Sequence, residues 1–147
     1  MPSRSLFALG LLTLALSACA SPSVAPPSEL GPLGRPTTKL STQFNACWAR
    51  NELPAHRHGC IATETDLQRR RLEAADREAE TIYSGERREL QRRWRTEWQE
   101  ETNEACAAHN SPNEAERLDG AYCLMVRTAQ AAEERETANV LEREDRR

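Results

Sequence analysis

The spacing of apolar positions predicts helices along this chain and no strands. Phe44, Cys47 and Trp48 fall at i, i+3 and i+4 behind Ser41, a residue suited to cap a short helix. A loop from Leu53 to Cys60, bounded by Pro54 and Gly59 and carrying His56 and His58, should follow. Thr63 or Thr65 is then placed to cap a long helix, with Asp66 in its first turn suiting the helix dipole. Leu67, Arg71, Ala74/Ala75, Glu78/Ala79 and Ile82 share one face of it, a thin stripe of mostly alanine that packs closely but buries little. Ser84-Gly85 predicts a break, because a continuous helix from Thr63 to Ala108 would expose its stripe over most of its length. Leu90, Trp94, Trp98, Glu101/Thr102 and Ala105 then recur at helical spacing, and two tryptophans on one face should make this the most strongly anchored helix. His109-Asn110-Ser111-Pro112-Asn113 is a stop, from which Ser111 or Asn113 can cap a final helix, with Pro112 tolerated in its first turn. That helix carries Leu118, Tyr122, Met125, Ala129, Ala132 and Val140 in a near-heptad, coiled-coil-like pattern. The expected fold is all-α: a small antiparallel helical bundle organised around a hairpin from Gln91 to Arg135.

The N-terminal third has a different pattern. Arg4 and the short apolar run Leu6 to Leu16 form a secretory signal, too short to span a membrane as a stable helix. It ends in Leu16-Ser17-Ala18-Cys19, which fits the bacterial lipobox and makes Cys19 the expected site of lipid attachment. Ala20 rather than Asp after the cysteine leans towards the outer membrane in a Gram-negative cell, facing the periplasm or the cell surface. From Ala20 to Leu40, Pro22, Pro26, Pro27, Gly31, Pro32 and Pro36 leave little to bury, so this part reads as an extended, disordered tether. The expected organisation is a signal peptide over 1–18, a lipidated cysteine and tether over 19–40, and a helical domain over 41–147.

With Cys19 lipidated, Cys47, Cys60, Cys106 and Cys123 remain, an even number in an exported chain, and this reads as two disulfides. Three pairings are possible, and sequence locality favours Cys47 with Cys60 and Cys106 with Cys123. Each would close a loop worth about 3 kcal/mol in the chain-entropy model. Cys47, His56, His58 and Cys60 also raise the question of a zinc site. Their spacing is not that of a zinc finger, and in an oxidising compartment the thiols pair instead, so no metal and no cofactor is expected.

The net charge of −3 becomes −4 once Arg4 leaves with the signal, which argues against a nucleic-acid partner and favours a basic one. Glu97, Glu101 and Glu104 line one helix face at i, i+4 and i+7. Most such faces are merely solvated, but this one is the candidate surface for docking a basic protein. There is no Gly-rich phosphate loop, no G-x-S-x-G and no H-E-x-x-H, so neither an enzyme nor a small-molecule substrate is expected.

The order Cys47, Cys60, a helix with Tyr83, Gln91-Arg92-x-Trp94, Cys106, and Cys123-x4-Thr128 ahead of Arg135 resembles the lysozyme inhibitor LprI-like family of exported bacterial proteins. The resemblance implies a small, helical, cysteine-bearing envelope protein that binds and inhibits lysozyme-type muramidases. Where that family has an Arg-Asp pair after the tryptophan, this chain reads Trp98-Gln99. The Trp-to-Cys and Cys-to-Arg segments are each about four residues, one helical turn, longer than the family's usual form. Trp94 to Cys106 and Cys123 to Arg135 are both twelve steps. In a hairpin bridged at Cys106 and Cys123, equal lengthening keeps Arg135 over or beside Trp94, where a cation–π or hydrogen-bonded packing contact is expected. The alternative expectation is an assembly or structural lipoprotein that binds another envelope protein through its helical surface.

Overall fold

The computed structural model describes residues 38–50 and 52–147. The signal peptide, Cys19 and nearly all of the tether lie outside the described residues. Four α-helices and a short 3₁₀ turn make up the fold: α1 (Thr42–Arg50), α2 (Pro54–Ile82), α3 (Gly85–Ala105), the 3₁₀ turn Ala107–Asn110, and α4 (Glu114–Asp145). Among the described residues there is no strand, and no helix is long and apolar enough to cross a membrane.

Contacts between helices give the directions. Arg71 meets Glu136 and Glu78 meets Arg143, so α2 and α4 run parallel with a nearly constant offset. Cys106 meets Cys123, Trp94 meets Arg135 and Arg87 meets Glu142, so α3 runs antiparallel to α4. The result is an up-down-up bundle, with α1 folded across its lower end. The anticipated α3/α4 hairpin is present, but the most extensive interface is the parallel one between α2 and α4.

That interface rests on small residues. Ala75 and Ala79 of α2 and Ala129 and Ala132 of α4 are buried, which lets the two backbones approach closely. Leu72 and Met125 fill the remaining space with no exposure. The expected stripe on α2 is displaced: Leu67 is on its rim, whereas Ile61, Glu64, Gln68 and Leu72 face inward. On α4 the stripe passes through Arg135, Asn139 and Glu142, and Val140 is exposed. In both helices polar side chains occupy buried positions, so apolar spacing alone misplaces the face.

The break at Ser84-Gly85 is as expected, with Gly85 at φ +53°, a conformation that favours glycine. Asn113 caps α4 by accepting from the N–H groups of Ala115 and Glu116, and Pro112 stands just outside the helix. Ser41 accepts from the Phe44 N–H at the start of α1. The loop expected from Leu53 to Cys60 is instead the first two turns of α2. Pro54 sits at its start, where a missing N–H costs nothing, and Leu53 O accepts from Arg57 N. Thr63 and Thr65 are therefore inside the helix, their hydroxyls donating to Gly59 O and Ile61 O rather than capping.

Both disulfides follow the local pairing: Cys47–Cys60 with Cα atoms 5.8 Å apart, and Cys106–Cys123 at 5.6 Å. The first ties α1 to α2 under an aromatic cluster of Phe44, Trp48 and Tyr122, which packs on Ile61 and Met125. Leu40 packs there too, so the folded part begins one residue before Ser41.

Candidate functional site

Helix α3 meets the other two through its tryptophans. Trp94 and Trp98, one turn apart, lie nearly parallel with ring centroids 6.3 Å apart and pack on Leu72, Ala131 and Ala132. Each ring carries a guanidinium: Arg135 of α4 sits 4.2 Å over Trp94, and Arg95 sits 4.8 Å over Trp98. Asp76 of α2 joins the two, one carboxylate oxygen 3.0 Å from Arg135 Nε and the other 3.1 Å from Arg95 Nε. Arg135 and Asp76 thus form a close ion pair inside the bundle. Arg135 Nη2 donates to Gln91 O at 3.2 Å.

Arg135 is only 4% exposed. Burial lowers its affinity for the proton and Asp76 opposes that shift; the guanidinium stays charged at neutral pH. A buried cation without a counter-ion would be costly, so Asp76 is what makes this position tenable. The three helices are thus locked by one carboxylate shared between two stacked arginines.

Of the residues that carry the family resemblance, Gln91, Trp94 and Arg135 are brought together here. Arg92 is close by on the exposed side, clamping Glu80 of α2 at 2.7 Å and Glu89 at 3.2 Å. Thr128 is buried, one to two turns below Arg135 on α4, its hydroxyl donating to Leu124 O. Asp76 and Arg95, which complete the constellation, were missed in the sequence. One acid and one arginine among many on charged helices have no distinguishing spacing.

The expectation that α3 is the most strongly anchored helix needs correction. Thr102 is its only fully buried residue; Trp94 and Trp98 are half-buried and Leu90 is largely exposed. Glu97, Glu101 and Glu104 are all exposed on the outward side, with no ion pair to any described residue. Arg95, on the same helix, turns inward to Asp76. The second half of α3 carries Glu97, Glu100, Glu101 and Glu104 and no base after Arg95, whereas the first half mixes Arg87, Arg88, Arg92, Arg93 and Arg95 with Glu86 and Glu89. Glu86 in the first turn suits the helix dipole, and Glu104 in the last turn opposes it.

His56 is exposed and His58 half-buried, both in the first turns of α2, and Cys47 and Cys60 are joined to each other. Among the described residues no group of three or more His, Cys, Asp or Glu side chains is placed to hold a metal ion.

Comparison with family models, with curated proteins and with solved structures finds no match to this chain.

Proposed function

We propose that this is a lipid-anchored protein of the bacterial envelope that binds a basic partner protein, and that a lysozyme-type muramidase, which it would inhibit, is that partner. The observation that carries the reading is the outward half of α3. It presents Glu97, Glu100, Glu101 and Glu104 with no ion pair to a described residue and no base after Arg95 in the helix. Four acids with no base among them make a local negative field, which a cationic enzyme would meet favourably. Two disulfides support an oxidising compartment, in keeping with the lipobox at Cys19. The Trp94–Arg135 contact supports the family resemblance, because the motif residues form one physical unit.

In this reading the tryptophans, cysteines and Arg135 are scaffold, and the activity lies on the charged outer face. The test is calorimetric titration of oxidised residues 20–147 into lysozyme at low and at high salt. Binding that weakens as salt rises, and weakens again in Glu97→Gln/Glu101→Gln/Glu104→Gln, is the expected result. Absence of binding to several lysozyme types would overturn it. That outcome would favour the second reading, an assembly protein that meets another envelope protein through its helical surface, for which the exposed Leu90, Val140 and Leu141 offer apolar contact.

A further inference from the structure

A second feature lies on the inward side of α3, away from the acidic stripe. A cleft of about 170 Å³ opens between α2, α3 and α4. Leu72, Trp98 and Leu124 give it apolar walls, and Gln99 and Asn103 stand at it with exposed amides. Its charged lining residues are Arg69, which is paired with Asp66 at 2.7 Å, and Arg95; no carboxylate lines it. Two polar groups on its lining residues are buried and unpartnered: Arg95 Nη1 and the hydroxyl of Thr102, a residue 1% exposed. Buried donors are nearly always paired, so both await an acceptor. Asp76 meets Arg95 through Nε and leaves Nη1 without a partner.

We propose that this cleft is a binding site for a small organic carboxylate. One carboxylate oxygen would accept from Arg95 Nη1 and the other from the Thr102 hydroxyl, while the carbon skeleton lies along Trp98, Leu72 and Leu124. A carboxylate supplies the missing counter-charge to two arginines that share one aspartate, and the apolar walls favour an organic acid over a bare inorganic anion. The proposal is independent of any muramidase partner.

Oxidised residues 20–147 are titrated by amide-resolved NMR with benzoate, with benzamide as its uncharged match, and with inorganic phosphate. Saturable shifts at Thr65, Thr102 and Thr128 with benzoate, and none with benzamide, are expected. Thr102→Val, which keeps shape and removes only the hydroxyl, should weaken benzoate binding about tenfold. Asn103→Glu, on the exposed rim, should abolish it without disturbing the fold. No saturable shift, equal shifts with benzamide, or preference for phosphate over benzoate would overturn the proposal. So would a folded Thr102→Val protein that binds benzoate as before, since the hydroxyl would then be merely buried.

Discussion

Arg135 shows how one residue can decide whether three helices stay in register. It contributes a cation to Asp76, a flat surface to Trp94 and a donor to Gln91 O, all from a position almost without water. Arg135→Gln should lower the unfolding free energy by about 3 kcal/mol, since it leaves Asp76 with half its partners and Trp94 uncovered. Arg135→Lys should recover little of that, because an ammonium cannot both stack and reach two acceptors. Urea denaturation of the two variants checks both statements. The Trp94–Arg135 pairing was legible from equal arm lengths; Asp76 was not, because a half-buried acid on an Arg/Glu-rich helix has the same local sequence as a solvated one.

Glu64 is a buried acid with a job. Burial pushes its carboxyl pKa up, but bonds from the Ser41 hydroxyl and N–H and from Gln68, with the field of Arg71, outweigh this and hold it below its ordinary 4.5. A carboxyl whose folded pKa is depressed stabilises the protein above its unfolded pKa and loses that contribution as pH falls through the folded value. Stability should therefore decline as pH drops below 4.5, with a shallower decline in Glu64→Gln. Thermal melts across the acid range would show it; parallel curves would remove Glu64 from the account.

At the scale of elements, the pattern located the break between α2 and α3 and the cap of α4, and misplaced the start of α2. Ser84-Gly85 and Asn113 act through backbone geometry and capping, which are local and readable. The start of α2 was misread because Pro54 and Gly59 look like loop residues, although proline fits a first helical turn and the Cys47–Cys60 bridge holds that turn in place. Which helices pair most closely was hidden for another reason. The α2/α4 interface is alanine edged with Gln68, Asn139 and Glu142, so its apolar signal is weaker than that of the two tryptophans. Among the described glycines, Gly120 is the one packed directly against other backbone. A Cβ there would lie 2.0 Å from the His109 backbone nitrogen, against a rigid 3₁₀ turn. Gly120→Ala should cost about 3 kcal/mol, at the upper end for overpacking, because backbone cannot yield as a side chain does. Denaturant midpoints for Gly120→Ala against Gly59→Ala, where a Cβ meets nothing within 4 Å, separate crowding from a general effect of glycine replacement.

At the scale of the whole molecule, a bundle this thin depends on its staples. The Cys106–Cys123 bridge closes a loop of 17 residues next to the turn that reverses the chain from α3 to α4. Replacing both cysteines by alanine should remove about 3 kcal/mol, a large part of what so small a domain holds. Equilibrium unfolding of the oxidised protein and the double variant gives that difference directly. The pairing was favoured from sequence by locality alone, and the fold class by periodicity. What the molecule does is not written in either, because the bonded core uses the recognisable motif and leaves the outer faces to residues that no motif marks.

The functional account stands or falls on lysis. Oxidised residues 20–147 are added to a turbidity assay of bacterial cells treated with lysozyme, beside the Glu97→Gln/Glu101→Gln/Glu104→Gln protein. The account predicts that the wild-type chain slows clearing in proportion to its concentration and that the triple variant has lost most of this effect. Unchanged clearing at a large molar excess of the wild-type chain, across several lysozyme types, would contradict it.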